Sequence, residues 1–232
     1  MVSESISGRR EELRPRPQAN SLGTIIGAAA GLVLRSARDD DAAAIIELIA
    51  AVWSEYPGKT LVAANDMPEL LRPASAYAEC GGRFWVVEAN GHVIGTIALA
   101  SSAEPGVVEL QKLYVARAMR KNGLGSFLCH LVECEARERG AHAIELWSDV
   151  KLRDAHHRYE RLGYRRGEAL KTYDDTSSTV RYYYRKSLVA ELPDHPDQPT
   201  GVAKRPPDAI DRWQQLFHLG AAGGTILGAA KP

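Results

Sequence analysis

Apolar positions in the middle of the chain switch between two periods. From residue 31 to about residue 189, stretches with period two alternate with stretches with period 3.6, the spacings of strands and of helices. Leu32-Val33-Leu34 reads as a short first strand. Asp39, Asp40 and Asp41 then offer helix-capping carboxylates ahead of Ala44, Ile45, Leu48, Ile49 and Val52, which recur at helical spacing. A second helix is expected from Met67 or Pro68 to Cys80, closed by Gly81-Gly82. Arg83 to Ala89 and His92 to Ala100 read as two strands joined by Asn90-Gly91, a strong two-residue hairpin signal. Val107 to Val115 reads as another strand. Leu124, Phe127, Leu128 and Leu131 mark the buried face of a helix from about Gly123 to Arg139, ended by Gly140. Ala143 to Trp147 is a strand. Leu152, Ala155, Tyr159 and Leu162 mark one more helix, and two strands follow, from Tyr164 onward and from Thr179 to Lys186. The order βααβββαβαββ describes an α/β (α+β mixed) fold, a central mixed sheet flanked by helices. About 160 residues of this kind suffice for a substantial core.

The flanks lack this pattern. Residues 1–30 read as an N-terminal extension, polar at first and carrying Pro15 and Pro17. Residues 190–232 read as a tail. Five prolines between 191 and 207 suit an extended linker, and a short amphipathic helix is expected from about Pro207 to His218. The run Gly23-Thr24-Ile25-Ile26-Gly27-Ala28-Ala29 is echoed by Gly224-Thr225-Ile226-Leu227-Gly228-Ala229-Ala230, too short to count as a repeat. One globular domain, residues 31–189, is therefore expected between two tails.

Charge narrows the classes. Lys+Arg and Asp+Glu are both 29, so the formal net charge is zero and gives no support for a nucleic-acid or acidic-membrane partner. The apolar stretch Ser21 to Leu34 has 14 residues, short of the roughly twenty a bilayer span requires. Glu4, Glu11 and Glu12 among the N-terminal arginines do not fit a signal peptide. Three cysteines fit neither a disulfide scaffold nor a zinc pattern. A soluble, cytoplasmic protein is the expectation.

Chemistry concentrates after Leu113-Tyr114-Val115. A short connection leads into Arg120-Lys121-Asn122-Gly123-Leu124-Gly125-Ser126, where two glycines open an amphipathic helix. A helix start has unsatisfied N–H groups and the positive end of the peptide dipole. Glycines let a phosphate approach those donors closely, and Arg120 and Lys121 add positive charge. The segment therefore reads as a pyrophosphate site. It is neither GxxxxGK[ST] nor GxGxxG. Taken alone, it also reads as a plain helix start with two convenient glycines.

Arg120-x-x-Gly123-x-Gly125 resembles the acyl-CoA-binding signature of the GNAT superfamily of N-acetyltransferases. Ala155-His156-His157-Arg158-Tyr159-Glu160-Arg161-Leu162-Gly163-Tyr164 resembles that superfamily's second signature, Ala-x-x-x-Tyr-Glu-x-x-Gly-Phe/Tyr. With both at the right separation, residues 31–188 are identified as a member. The resemblance implies that the pantetheine arm of acetyl-CoA pairs with the strand at Leu113 and Val115, with Tyr114 between them. It implies that main-chain amides from Arg120 through Lys121, Asn122, Gly123, Leu124 and Gly125 to Ser126 hold the diphosphate. The acetyl carbonyl would be polarised by an N–H near Val115, and the amine would attack the thioester directly.

Tyr159 matches the family tyrosine near the CoA sulfur, where a phenol serves as general acid for the leaving thiolate. Its position on the helix equally suits a core tyrosine. Glu109 shares strand parity with Gln111, Leu113 and Val115, which places all four on one face. Some family members carry a catalytic base at this position, while others relay the proton through water. Many relatives have Asn where this chain has Leu152, which puts one pantetheine contact in doubt.

Other residues carry plainer expectations. His156 and His157 point about 100° apart on a helix and lack a third ligand, so a solvated face and no metal are expected. Cys129 and Cys134 suit buried small groups, and Trp85 and Trp147 suit the core. Trp53 and Tyr56 would line an aromatic acceptor pocket. The implied activity is acetyl transfer from acetyl-CoA to the primary amine of a small molecule or peptide. A catalytically silent acyl-CoA-binding or sensing module with a protein partner is the alternative. The acceptor loop, about Glu55 to Met67, carries no decodable motif, and the oligomeric state is open, with a homodimer among the options.

Overall fold

A computed structural model describes residues 32–189. The terminal helix expected near Pro207 and the two echoing heptapeptides lie outside the described residues. The elements run β1 (Leu32–Ser36), α1 (Ala42–Trp53), α2 (Ala63–Asp66), α3 (Pro73–Glu79), β2 (Arg83–Ala89), β3 (His92–Ser101), β4 (Val107–Val115), α4 (Leu124–Glu138), β5 (Ala143–Asp149), α5 (Arg153–Arg161), β6 (Arg165–Thr172) and β7 (Val180–Ser187). The seven strands form one sheet in the order β1-β2-β3-β4-β5-β7-β6. Every neighbouring pair is antiparallel except β4 and β5.

Both faces of the sheet's centre are covered, which is why β2 and β3 are apolar almost throughout. On one face Trp85, Val87, Ile97 and Leu99 pack with Leu128 and Val132 of α4. On the other, Phe84, Val86 and Ala98 pack with Ile45 and Ile49 of α1 and Tyr77 of α3. The hairpin at Asn90-Gly91 has φ of 52° and 78°. Two successive positive values suit the turn whose twist matches that of its strands.

Two expectations need correction. The single helix expected from Met67 or Pro68 to Cys80 is a 3-10 turn, Pro68–Leu71, followed by α3. Pro73 disfavours helical geometry at Arg72, whose φ/ψ of −147°/68° breaks the run. Asp41 and Asp39 also act differently from simple caps of α1. Asp41 makes no side-chain bond to α1. It accepts two bonds of 2.7 Å from the Arg35 guanidinium and one of 2.7 Å from the Arg38 amide. Asp39 instead caps α3, accepting the Ala74 and Ser75 amides at 2.9 and 3.0 Å. Among the described residues, no helix is long and apolar enough to cross a membrane.

Strands β4 and β5 pair only where Val107, Val108 and Glu109 meet Ala143, Ile144 and Glu145. Beyond Glu109 they part, and a cleft opens between them on the far half of β4. The candidate functional residues gather there.

Candidate active site

The first device at the cleft is a bulge in β4. Ala98 pairs with Gln111 and Thr96 with Tyr114, so β4 spends one residue more than β3 over this span. Lys112 sits at φ 51°, in the left-handed region, and its carbonyl accepts the Thr96 hydroxyl at 2.8 Å. The extra residue changes which side chains share a face. Val108 and Leu110 lie in the α4-side core with Leu113 and Val115. Gln111 faces the other way, accepting the Tyr77 hydroxyl at 2.7 Å, and Lys112 joins it with its ammonium 2.6 Å from Glu69. Strand alternation puts Glu109 on the Gln111 side. The expected common face for Glu109, Gln111, Leu113 and Val115 is therefore wrong: Glu109 and Gln111 sit with Tyr114, opposite Leu113 and Val115.

The second device is the turn into α4. Gly123 occupies the N-cap with φ 86°, and Lys121 before it has φ 63°. The Ser126 and Phe127 amides return to the Gly123 carbonyl, each at 3.0 Å. The earlier amides of the first turn have no helical carbonyl behind them and are free to face a ligand. A Cβ at Gly125 would stand 2.9 Å from the Arg158 guanidinium carbon, the far end of a flexible side chain that would have to move aside. Arg158 thus lies over the turn from α5.

Arg120 is a partial departure from the expected phosphate cation. Its guanidinium is clamped by Glu55 at 2.7 and 2.8 Å, and its Nε donates to the Val115 carbonyl at 2.9 Å. This ties the turn to the end of α1 and matches the charge. Lys121 and Arg158 remain as cations at the mouth, where a cavity of about 460 Å³ is also lined by Leu113, Tyr114, Val115 and Arg161.

A second cavity, about 350 Å³, continues past the bulge and contains Glu109, Tyr159, Trp53 and Trp147 in its lining. Tyr56, Leu113, Tyr114 and Leu152 line both, so the two spaces meet at the middle of β4. Trp53 Nε1 donates to the Tyr114 hydroxyl at 3.2 Å. Tyr159 is 5% exposed and packs edge-on against Tyr164, with Tyr184 tilted beside it. Burial pushes its phenol well above the ordinary value, which keeps it protonated at neutral pH. Burial also raises the Glu109 carboxyl, with the nearby charge of Glu145 adding to it and a hydrogen bond from Gln111 opposing it.

Several other expectations meet the structure here. Trp53 and Tyr56 both line the second cavity, and Tyr56 lines the first as well. Trp85 is core, but Trp147 is half-buried on the cavity wall, 5.1 Å from the Tyr183 ring. His156 is buried, not solvated, because α5 packs it on Tyr182 and Tyr184 and its Nε2–H donates to the Asp149 carbonyl at 2.9 Å. Only His157 faces outward. Cys129 is buried, while Cys134 is half-buried. Among the described residues, no group of three His, Cys, Asp or Glu side chains could hold a metal. Sequence reasoning missed Arg158 over the turn, and it missed Lys59, Lys171, Tyr173 and Arg181 on the second cavity. Arg158 lies inside the second signature, but the others arrive from strands and loops without a local motif.

The chain resembles known proteins in sequence and in fold. The family model of the acetyltransferase (GNAT) family matches residues 44–164. The chain is 34% identical over 139 residues to an N-acetyltransferase of Escherichia coli, YjgM, itself uncharacterized; the match covers 57% of this chain and 81% of that protein. A GNAT-family acetyltransferase structure from Staphylococcus aureus Mu50 superposes with a TM-score of 0.59 at 21% identity, covering 68% of this chain and 99% of that one. The Salmonella typhimurium protein yncA, solved with its cofactor acetyl-CoA, superposes with a TM-score of 0.54 at 22% identity, covering 73% of this chain and 99% of its own. The family match, the E. coli relative and the shared fold lead to one conclusion: this chain belongs to the GNAT family of N-acetyltransferases, acyl-CoA-dependent enzymes.

Proposed function

We propose that acetyl-CoA lies in the cleft where β4 leaves β5, and that an amine reaches its thioester from the second cavity. The observation that carries this is the meeting of the two cavities at Leu113, Tyr114 and Leu152, with Tyr159 on the acceptor side of the junction. The fold match to the yncA structure with acetyl-CoA supports the choice of co-substrate.

On this reading the family resemblance supplies the roles and the geometry is compatible with them. Amides of the Arg120–Ser126 turn, chiefly those of Gly123, Leu124 and Gly125, hold the diphosphate at the positive end of α4. The arm runs along the free edge of β4 at Leu113, Tyr114 and Val115, adding to the sheet as a strand would. The Val115 carbonyl already takes the Arg120 Nε–H, so the arm relies on the remaining groups of that edge. The amine nitrogen attacks the thioester carbonyl carbon and the C–S bond breaks. Tyr159 gives its proton to the departing thiolate and Glu109, directly or through a water, takes one from the amine. A carboxylate with a raised pKa is a better match to that base role than an ordinary exposed one.

The test is thiol release. Purified protein with acetyl-CoA and a panel of primary amines liberates CoA in an amine-dependent manner on this reading. Tight acetyl-CoA binding with no release across the panel would instead favour a silent sensing module.

A further inference from the structure

The acceptor-side cavity carries more positive charge than proton transfer needs. Much of its charge is settled internally. Lys59 pairs with Asp149 and donates to the Thr179 hydroxyl at 2.6 Å. Lys112 pairs with Glu69. Lys151 turns away to the Pro57 carbonyl at 3.1 Å. Asp66 accepts the Thr176 amide and hydroxyl at 2.8 and 2.6 Å.

Lys171 is in no ion pair among the described residues, and Arg181 has only a long one. They face each other across β6 and β7 as direct register partners. Like charges at opposed positions repel and cost stability unless an anion joins them. Both lean on one ring: the Lys171 ammonium is 4.9 Å from the centre of Tyr173 and the Arg181 guanidinium 3.9 Å. Among the described residues, no carboxylate comes within ion-pair distance of Lys171, and Arg181 meets only Asp175, at 3.9 Å. That contact is no hydrogen bond, because the buried Asp175 Oδ2 it approaches has no hydrogen-bond partner. Lys171, Tyr173 and Arg181 all line the cavity that holds Glu109.

We propose that the acceptor is a small amine bearing an anionic group, a carboxylate or phosphonate, which lies between Lys171 and Arg181 while its amine points to Glu109. This rests on the transfer reading above and adds the acceptor's chemical class. A cavity of about 350 Å³ suits a small molecule. Two cations side by side on an aromatic ring offer a fork for an oxyanion, and Glu109, on the same cavity wall, is in no ion pair among the described residues. An amine with its own negative charge would complete both.

Two measurements test it. The first is kcat/KM for β-alanine, aminoethylphosphonate, propylamine and the diamine putrescine. The anionic amines are expected to exceed propylamine by about tenfold or more, the equivalent of about 1.4 kcal/mol. Lys171→Gln and Arg181→Gln should each collapse that ratio through KM, and Lys171→Glu should move the preference toward putrescine. Equal values across the four amines, or a ratio unchanged in both Gln variants, overturns the proposal. A peptide with an acidic second residue outrunning both small anionic amines would overturn the small-molecule assignment. The second measurement needs no turnover: calorimetry of methylphosphonate with the CoA-loaded protein. Binding that weakens about tenfold in Lys171→Gln supports the anion site, and absent binding overturns it. Methylphosphonate binding without thiol release from any amine would sink the transfer reading and leave the anion site standing.

Discussion

The Thr96 hydroxyl on β3 donates a 2.8 Å hydrogen bond to the carbonyl oxygen of Lys112 on β4, and Lys112 is the residue held at φ 51°. Thr96 is fully buried. A side chain with a Cβ in the left-handed region costs about 1–2 kcal/mol, so the bulge persists because something holds it, and this bond does. Thr96→Val keeps the shape and deletes the donor. It should lower unfolding free energy by about 1–2 kcal/mol in urea titrations and reduce kcat, because the bulge divides Glu109 and Gln111 from Leu113. Wild-type stability and kcat together would show that the bulge holds without Thr96.

Tyr159 is expected to act on the leaving thiolate rather than on cofactor binding. Tyr159→Phe should reduce kcat by about a hundredfold, the lower end of what a positioned acid contributes, while the acetyl-CoA dissociation constant stays within about twofold. A variant with wild-type turnover would reduce Tyr159 to a core residue packed on Tyr164 and Tyr184.

The pH profile reports on Glu109. Burial raises this carboxyl above the ordinary glutamate range, and a base must be deprotonated to work. Activity should therefore fall as pH drops through that raised value, at higher pH than an exposed glutamate would produce. In Glu109→Gln that acidic limb should vanish along with most of kcat. An identical limb in the variant would assign it to another group.

Asp41 makes a different statement about pH. Its bond to Arg35 is the largest cause holding its carboxyl below the usual carboxylate range. A group whose folded value is depressed contributes stability that is complete above its unfolded value, about 3.9. That contribution is lost as pH falls through the lower, folded value. Asp41→Asn should destabilise the protein by about 1–3 kcal/mol at neutral pH. The gap should narrow progressively below about pH 4. Denaturant titrations across that range measure it, and a gap independent of pH would contradict the assignment.

Much of the fold could be read from the chain because its signals are local. Asn90-Gly91 names its own turn, and Leu124, Phe127 and Leu128 declare the buried face of α4. The two signatures marked the turn into α4 and Tyr159 as candidates. The misread features are set by partners distant in sequence. Nothing near Lys112 marks a bulge, since the stabilising hydroxyl is 16 positions away, and without the bulge the parity of Glu109 comes out wrong. Arg120 reads as a phosphate cation until Glu55, 65 positions earlier, takes it. His156 looks solvated until α5 is laid on the tyrosines of β7. Lys171 and Arg181 become opposed only because β6 slips register between Arg166 and Leu170. The break before Pro73 is the exception: proline's effect on the preceding residue was available from sequence.

The central claim is that main-chain amides entering α4 bind the diphosphate of coenzyme A, and isothermal calorimetry tests it most directly. CoA titrated into the wild-type protein should bind one to one. Gly125→Val, which pushes a side chain into the space beneath Arg158, should weaken that binding by about tenfold or more at unchanged fold. No heat from CoA with correctly folded protein, or equal affinity in Gly125→Val, would contradict the account.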